Sequence, residues 1–354
     1  ISRRRSMKMS MEKSKRKILV TGGAGYIGSH TIIELLEKWD GEVVSIDHFA
    51  NSDPATFDRI ERIIGKRVRN HAVDLCDRAA LDEVLAKERG VHGVIHFAAF
   101  KSVPESMADP NKYYHNNIAS LLNILEGCVA HGIGSFIFSS SCSVYGNIAD
   151  LPVSESTPLG PAESPYGYTK QIGERIVQDF TRVNPLLRSI ALRYFNPVGA
   201  HASGTIGEAP INPPSSLVPV ITRTASGKIP LLTVHGNDYD TVDGSCIRDY
   251  VHVSDIASAH VLAMEYCARM SATERYSVFN LGTGNGVSVL ETIAAFEKIS
   301  GLKLNYTVGP RRDGDVAAIY SDTTRSEREL GWVAERDLEE MMRSAWAWEQ
   351  HIAQ

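Results

Sequence analysis

The sequence predicts an α/β fold, a doubly wound parallel sheet with a smaller α/β lobe towards the C-terminus. Three observations lead to this prediction. Short apolar runs rich in β-branched residues alternate with segments of helical apolar spacing, which is typical of parallel strands joined by helices. Glycines separate the first such run from the first such helix, at residues 21–28. The chain has 354 residues, 43% of them hydrophobic, which is enough for a large sheet domain and an appended lobe.

Strands and helices alternate through the N-terminal half. Residues 18–20 form the first predicted strand, and residues 26–38 have the apolar spacing of a helix. Because crossover helices keep the strands parallel, ligands of such a sheet bind beyond the carboxyl ends of its strands. Further strands are predicted at 42–47, 68–74, 93–99 and 134–141, helices at 81–87, 113–131 and 166–180, and strands returning to the sheet at 187–195 and 276–281.

The glycine-rich turn predicts a nucleotide site. Gly22, Gly25 and Gly28 would let bare backbone approach a diphosphate, held by the free N–H groups and positive dipole end of the following helix. Asp47 ends the next strand, where its carboxylate can accept the ribose hydroxyls. A carboxylate at this position would repel the 2′-phosphate of NADP, so the pattern predicts a Rossmann domain that binds NAD.

Charge and composition exclude several classes of protein. The formal net charge of −5 argues against a nucleic-acid surface, and the absence of a run of about 18 apolar residues argues against a membrane span. Five scattered cysteines and twelve histidines without ligand spacing predict reduced thiols, a cytoplasmic protein and no metal site. Basic residues crowd positions 1–16 without a following apolar stretch, which predicts a flexible arm rather than a secretory signal.

A candidate acid–base centre lies in the segment 164–170. Tyr166 and Lys170 are four residues apart, so on a helix they share one face, a single turn apart. An ammonium beside a phenol favours the phenolate, which would make the pair a base near neutral pH. Ser139 and Ser141 place hydroxyls at the mouth of the fifth strand, where Ser141 could hold a sugar hydroxyl or relay a proton. Spacing alone leaves ordinary surface or turn roles open for these residues.

Further motifs cover nearly the whole chain, from residue 17 to residue 348. They are TGGAGYIGSH at 21–30, VIHFAAFKSVPES at 94–106, YYHNN at 113–117, FIFSSSCSVYG at 136–146, SPYGYTK at 164–170, LRYFNPVGAHASG at 192–204, GNDYDTVDGSCIRDYVHVSD at 236–255, FNLGTG at 279–284 and PRRDGD at 310–315. The first and fifth are typical of the extended short-chain dehydrogenase/reductase superfamily. The whole set resembles the UDP-glucose 4-epimerase family within it.

This resemblance implies an isomerase of galactose metabolism that interconverts UDP-galactose and UDP-glucose through a 4-keto intermediate. NAD would stay bound, accept a hydride from the sugar C4 and return it to the opposite face. Tyr166 would remove the proton of the 4-hydroxyl, Ser141 would assist the proton transfer, and Lys170 would hold the nicotinamide ribose and tune Tyr166. A homodimer through the helices at 113–131 and 166–180 is implied by analogy.

The resemblance also implies which residues contact each ligand. Arginines would supply forked donors for the diphosphate, and small side chains would leave room for the cofactor. The cofactor set is Gly22, Gly25, Tyr26, Ile27, Gly28, Asp47, Asn51, Asp74, Leu75, Phe97, Ala98, Ala99, Lys101, Asn116, Ser139, Tyr166, Lys170 and Tyr194. The substrate set is Lys101, Ser141, Tyr166, Phe195, Asn196, Ser216, Leu217, Thr233, His235, Arg248, Arg312 and Asp315. For Asp74, a turn-capping role is an equal alternative to contact with adenine.

Three positions depart from the usual family pattern. Ser216 stands where an Asn is usual, which would make an amide contact shorter or water-mediated. His235 stands where an aromatic ring often stacks on uracil. Ile319 occupies the position that gates N-acetylated sugars and predicts UDP-glucose and UDP-galactose as the main substrates.

The predicted organisation is the arm at 1–16, an NAD-binding domain at 17–196 with a returning segment at 251–285, and a nucleotide-sugar lobe at 197–250 and 286–354. Other functions stay open. A nucleotide-sugar 4,6-dehydratase shares the tyrosine and lysine but needs an acid–base pair after the fifth strand, where this chain has Cys142 and Ser143. A 3,5-epimerase-reductase would need a reactive cysteine, for which Cys142 is the candidate. A non-catalytic dinucleotide-sensing protein would tend to lose Tyr166 or Lys170, and both are present.

Overall fold

The computed structural model of the chain describes residues 16–209, 211, 214, 216–312 and 314–353. The predicted basic arm lies outside this part of the chain except for Arg16, which begins the first strand. The strands are β1 (Arg16–Thr21), β2 (Gly41–Ile46), β3 (Arg69–His71), β4 (Val91–His96), β5 (Ser135–Ser141), β6 (Arg188–Tyr194), β7 (Asn196–Val198), β8 (Leu232–His235), β9 (Ile247–His252), β10 (Tyr276–Leu281), β11 (Gly286–Ser288), β12 (Tyr306–Gly309) and β13 (Ala318–Ile319).

Helices connect most of these strands, as the alternating pattern predicts. They are α1 (Tyr26–Lys38), α2 (Ala55–Ile64), α3 (Arg78–Lys87), α4 (Val103–Ala108), α5 (Pro110–Ala130), α6 (Pro165–Val183), α7 (Leu217–Ala225), α8 (Val253–Arg269), α9 (Val289–Ser300) and α10 (Leu338–His351). A membrane-crossing helix, which must be long and apolar, is not found among the helices of the described residues.

The predicted doubly wound parallel sheet is confirmed. Within the described residues, seven strands form one parallel sheet in the order β10-β6-β5-β4-β1-β2-β3. The two segments predicted to return to the sheet do so, as β6 and β10. Because all strands are parallel, their carboxyl ends lie along one edge, and this edge faces the smaller lobe.

Helices cover both faces of the sheet because its strands are apolar on both sides. Ile95 of β4 belongs to a buried cluster that includes Ile32 of α1 and Ile256 of α8. The adjacent Val94 belongs to the cluster on the opposite face, which includes Leu121 of α5. This burial on both sides explains why the strands are continuous apolar runs rather than alternating ones.

The strand predicted at 68–74 is shorter in the structure and covers only Arg69–His71. The backbone turns immediately afterwards, since the amide of Val73 donates to the carbonyl of His71 at 2.9 Å. The amide of Cys76 then donates to the Asp74 carboxylate at 2.9 Å. A polar turn therefore ends the strand earlier than its apolar residues suggest.

The smaller lobe has a hydrophobic core of its own. In it, β9 pairs with β7, β11 and β13, and β8 pairs with β12. The helices α7, α9 and α10 pack around these strands through Ile221, Phe296 and Met342, which are fully buried. This core fixes β8, β9 and β13 opposite the carboxyl edge of the large sheet.

His96 makes the stability of the fold sensitive to acid. Its ring is 3% exposed, lies stacked near Phe136 and Phe138, and shares a hydrogen bond of 2.8 Å with the Thr21 hydroxyl. Burial, helped by the charge of Lys170, lowers the pKa of His96 from 6.5 to about 3. Between these values the unfolded chain binds the proton that the folded chain does not, so stability falls as the pH falls below 6.5.

We expect His96→Asn to reduce this acid sensitivity. The free energy of unfolding of the unchanged protein should fall with acidification below pH 6.5, with His96 contributing up to about 1.4 kcal/mol per pH unit. The variant lacks this contribution. Urea unfolding at pH values between about 4.5 and 7.5, a range around the ordinary histidine pKa of about 6.5, can measure the difference. His115→Asn alters an exposed imidazole and is the control. Parallel stability curves for the unchanged protein and His96→Asn would contradict the prediction.

Candidate active site

One cleft of about 820 Å³ lies beyond the carboxyl ends of β1, β2, β4, β5 and β6. Its opposite wall comes from the smaller lobe, through residues of α7, β8, β9 and β13. Every cofactor, substrate and catalytic residue that the sequence predicted lines this cleft, and so does Ile319. All the predicted residues therefore lie in one cleft, although residues up to 297 positions apart, from Gly22 to Ile319, meet in it.

The glycine turn between β1 and α1 forms the floor of the cleft. Gly22 has φ +72°, and a Cβ atom there would lie 2.9 Å from the amide nitrogen of Ala98. A Cβ atom on Gly28 would overlap the carbonyl oxygen of Gly22. Helix α1 starts after Gly25, and no side chain caps its first N–H groups. Bare backbone and uncapped donors of this kind fit the diphosphate of a dinucleotide.

Asp47 lies where the ribose of such a dinucleotide would be held. Its carboxylate accepts the amides of Ala24 and Phe49 and the hydroxyl of Ser52, each at 2.9 Å. These bonds fix both carboxylate oxygens in the wall of the cleft, next to Asn51. Ser52 was not predicted from the sequence. The signal for it is the polar turn that directly follows Asp47.

Helix α6 brings Tyr166 and Lys170 to the mouth of β5. The Ser164 hydroxyl caps the helix by accepting the Gly167 amide at 3.1 Å. Lys170 is 5% exposed, and its ammonium donates to the carbonyl of Ser139 at 2.6 Å. The same nitrogen lies 5.9 Å from the centre of the Tyr166 ring. The predicted pairing on one helix face is therefore what the structure shows.

Ser141 completes this group. It is the last residue of β5, its hydroxyl accepts the amide of Ser143 at 3.2 Å, and it is near enough to Tyr166 to lower the pKa of that phenol. Tyr194 is its register partner on β6 and also faces the cleft. The three predicted catalytic side chains, Ser141, Tyr166 and Lys170, are thus brought together at one point of the sheet edge.

The protonation of this group differs from the prediction. Burial raises the pKa of Tyr166 to about 12, and the hydrogen bond with Ser141 opposes this only in part. Burial lowers the pKa of Lys170 to about 8, against the charge of Glu174. The expected lowering of the Tyr166 pKa by Lys170 is therefore wrong for the chain itself. The reason is that the cleft wall shields the Tyr166 phenol from water, which disfavours its phenolate, and that the Lys170 ammonium is directed at the Ser139 carbonyl.

Two arginines and an aspartate form the opposite end of the cleft. Arg312 donates to both carboxylate oxygens of Asp315, at 2.8 and 3.1 Å. Arg248 lies 3.5 Å from the same carboxylate and donates to the carbonyls of Ile247 and Val316 at 2.8 Å. Asp315 thus holds Arg248 and Arg312, the two arginines predicted to bind the diphosphate, on one side of the cleft.

Lys101 spans the cleft entrance. Its ammonium lies 2.8 Å from the carboxylate of Glu208 and 5.8 Å from the centre of the Tyr26 ring. The Tyr26 hydroxyl in turn donates to the carbonyl of Gly199 at 2.6 Å. Glu208 was not predicted, and nothing in its local sequence shows that Lys101, 107 residues away, is its partner.

The remaining predicted residues take positions along the walls. Asp74 both lines the cleft and caps a turn through the Cys76 amide, so the two interpretations are compatible. Ser216 precedes α7, and His235 ends β8 as an exposed residue. Ile319 is 5% exposed and packs with Tyr145 and Phe195 beside the cleft. Within the described residues no group of three or more His, Cys, Asp or Glu side chains could hold a metal ion.

Together, the doubly wound sheet, the glycine turn with its acidic partner, and the serine–tyrosine–lysine group define a short-chain dehydrogenase/reductase. The profile of the NAD dependent epimerase/dehydratase family matches residues 18–282. The chain is 46% identical over 337 residues to the UDP-glucose 4-epimerase of Erwinia amylovora, covering 95% of this chain and 98% of that protein. It is 46% identical over 332 residues to that of Bacillus subtilis, covering 94% and 96%.

Solved structures agree with these sequence relatives. The UDP-glucose 4-epimerase from Bifidobacterium longum in complex with NAD+ and UDP superposes with a TM-score of 0.90 at 44% identity, covering 95% of this chain and 98% of that one. The enzyme from Stenotrophomonas maltophila, with bound NAD and formylated UDP-arabinopyranose, gives a TM-score of 0.91 at 42% identity, with coverage of 96% and 99%. The chain therefore belongs to the NAD dependent epimerase/dehydratase family and, within it, to the UDP-glucose 4-epimerases.

The glycine turn generates a test of cofactor binding. We expect NAD to copurify with the unchanged protein and to be lost from Gly28→Ala, because the added methyl group would displace the Gly22 carbonyl from the floor of the cleft. Denaturing the purified protein and quantifying the released dinucleotide measures this. Gly134→Ala is the control, since its methyl group would meet only the carbonyl of Leu186 at an ordinary 3.4 Å. Equal NAD content in both variants and the unchanged protein would count against a diphosphate site at this turn.

Proposed function

We propose that the chain interconverts UDP-galactose and UDP-glucose with Tyr166 as the base, Lys170 as its cationic neighbour and Ser141 as the proton relay. The observation that carries these roles is the meeting of all three side chains at the mouth of β5, inside the cleft. The chain is a UDP-glucose 4-epimerase that uses NAD, and the roles of individual residues are our assignment.

The cleft residues fit NAD at its adenosine end. The uncapped start of α1 would hold the diphosphate, and the Asp47 carboxylate would accept the ribose hydroxyls while repelling a 2′-phosphate. When bound, NAD supplies the hydride acceptor and donor for C4, and its positive charge favours a nearby phenolate. Phe97, Ala98 and Ala99 line the same side of the cleft and leave room for a flat ring.

The protein groups manage the proton. Tyr166 would take the proton of the sugar 4-hydroxyl as C4 is oxidised to the ketone, and the Ser141 hydroxyl, which lies beside it in the cleft, would relay the proton. The Lys170 ammonium uses one N–H for the Ser139 carbonyl, so two remain for ribose hydroxyls or for the phenolate. Returning the proton and the hydride to the 4-keto sugar, after it has presented its other face, gives the epimer.

The lobe anchors the nucleotide while the sugar turns. Arg248 and Arg312 would exchange the Asp315 carboxylate for the two phosphates, and Asp315 would become available to the uridine ribose. Asn196, Phe195 and Lys101 line the cleft between this anchor and Tyr166, where the sugar would lie. A fixed diphosphate and an unanchored hexose are what a change of face requires.

The expected substrate range follows from the three positions in the lobe, Ser216, His235 and Ile319, at which this chain departs from the usual family pattern. We infer that the branched, buried Ile319 narrows the sugar site against N-acetylated hexoses. Ser216 and Leu217 begin α7 and would contact uracil with a short hydroxyl rather than an amide. Thr233 and His235 lie on β8 beside the same end of the cleft, where the imidazole would stack on the base.

The other candidate functions have less support. A 4,6-dehydratase would need an acid and a base after β5, and Cys142 and Ser143 occupy those positions. Burial raises the pKa of Cys142 to about 11, which disfavours the thiolate that a 3,5-epimerase-reductase would need. A sensing protein would not require the serine–tyrosine–lysine group.

We also propose a homodimer formed through α5 and α6. Tyr114 and Tyr168 are 37% and 48% exposed and stack edge to face across these two neighbouring helices. This exposed aromatic pair supports the family analogy. A cytoplasmic location stays a prediction, supported by five cysteines with free thiols.

The product distinguishes the candidate functions. We expect the purified protein to convert UDP-galactose to UDP-glucose without added NAD, as chromatography of the nucleotide sugars can measure. UDP-N-acetylgalactosamine should be converted much more slowly because of Ile319. A product that has lost water would instead identify a dehydratase, and the absence of any product would favour a sensing protein.

Tyr166→Phe tests the base. We expect turnover to fall by about 1,000-fold, because the variant has no group to accept the proton of the 4-hydroxyl. The fold and the bound NAD should be unchanged, as circular dichroism and dinucleotide release can show. Tyr168→Phe removes an exposed phenol two residues further along the same helix and should keep normal turnover. Near-normal activity of Tyr166→Phe would remove Tyr166 from this role.

A further inference from the structure

Glu174 lies on α6 one turn after Lys170 and points away from the cleft into the protein. Only 6% of it is exposed. Its two carboxylate oxygens accept the Nε and Nη2 groups of Arg193 at 2.8 and 2.7 Å. One of them also accepts the hydroxyl of Ser140 at 2.5 Å. The carboxylate is therefore fully paired, although it is removed from water.

The two partners of Glu174 lie opposite each other in the sheet. Ser140 on β5 is the register partner of Arg193 on β6. The next pair along these strands is Ser141 and Tyr194, which line the cleft. Glu174 thus fastens α6 to both strands one residue before they end in the active site.

The network continues to the segment that follows β5. Arg193 donates to the Tyr145 hydroxyl at 3.0 Å, and this hydroxyl donates to the Asn280 side-chain oxygen at 2.6 Å. Asn280 on β10 donates in turn to the carbonyl of Val153 at 3.0 Å. The Glu174–Arg193 ion pair therefore also fixes the turn that carries Ser141 and Ser143, through the Tyr145 hydroxyl.

Glu174 also sets the charge around Lys170. The groups near the ammonium are Glu174 and Tyr166 on its own helix, neutral His96 on β4 and the Ser139 carbonyl on β5, while Arg193 on β6 is paired with Glu174. Among these Glu174 is the anion, and its charge opposes the fall in the pKa of Lys170 that burial causes. Without it, Lys170 would lose its proton at a lower pH.

We propose that Glu174 is a positioning residue for the epimerisation: its carboxylate fixes α6 against the ends of β5 and β6 so that Lys170 and Tyr166 face Ser141, and stabilises the Lys170 ammonium. This inference rests on the proposed roles of Tyr166 and Lys170. It assigns no contact between Glu174 and either ligand.

The test is a double variant, Glu174→Leu with Arg193→Met. Replacing both members of a buried ion pair with apolar residues of similar size is often neutral for stability, whereas removing one member leaves an unpaired buried charge. The double variant should therefore fold, with the circular dichroism of the unchanged protein. Turnover should fall about 100-fold with little change in KM, because the reacting groups are misplaced.

The pH profile separates positioning from mere folding. The alkaline limb of turnover should move to lower pH in the double variant, since the Lys170 ammonium loses its neighbouring anion, and the Arg193 cation that is removed with it is bound to that anion rather than to Lys170. Glu174→Asp retains the charge and should keep this limb near its original position, although its shorter side chain lowers turnover. Asp179→Asn, which breaks the exposed pair with Arg175 on the same helix, should alter neither turnover nor pH profile.

A crystal structure of the double variant gives a readout independent of activity. The Lys170–Ser139 hydrogen bond of 2.6 Å should lengthen or break. If the unchanged protein does not epimerise UDP-galactose, the proposed function fails, and this distance still decides the role of Glu174. An unaltered Lys170 position, or an unaltered alkaline limb together with normal turnover in the double variant, would overturn the inference.

Discussion

The parallel register of the large sheet is the constraint on which the active site depends. Because all strands run in one direction, Thr21, His96 and Ser141 end neighbouring strands at a single edge. The same geometry places Ser141 beside Tyr194. The sheet side of the cleft is formed by the residues at or directly after the carboxyl end of each strand. The strand register therefore sets the position of Ser141, and helix α6, which packs next to β5, sets the positions of Tyr166 and Lys170.

Three cations in the cleft, Arg248, Arg312 and Lys101, are paired with carboxylates of the protein. Arg312 and Arg248 face the Asp315 carboxylate in place of phosphate. Lys101 faces Glu208 across the entrance. Such pairs lower the cost of keeping charges partly away from water, and binding then becomes an exchange of one anion for another. Such an exchange would favour a ligand that offers two phosphates to two arginines at once, and this is the basis on which we propose that the nucleotide end of the substrate is anchored there.

Local pattern predicted much of this structure, and long-range contacts account for most of the rest. The spacing of the glycine turn and Asp47 is typical of a strand–turn–helix unit, and that of Tyr166 and Lys170 is typical of one helix face, so the pattern indicated the elements and the family resemblance indicated the site. The pairing of Lys101 with Glu208, by contrast, depends on how the lobe closes over the sheet. The early end of β3 depends on the turn at His71 and Val73, and the direction of the Tyr166 pKa shift depends on burial that spacing does not reveal.

Burial shifts the pKa values of Tyr166 and Lys170 in opposite directions and favours the neutral form of both side chains. The phenol holds its proton more firmly and the ammonium holds its proton less firmly, so desolvation alone opposes the phenolate–ammonium pair that proton abstraction requires. The positive charge of oxidised NAD would oppose the first shift, and the Glu174 carboxylate behind Lys170 opposes the second. The base that we propose, Tyr166, would therefore be strongest with the oxidised cofactor in place, which would link proton removal to the presence of a hydride acceptor. In a dehydrogenating step this link is useful, since proton and hydride must leave the same carbinol together.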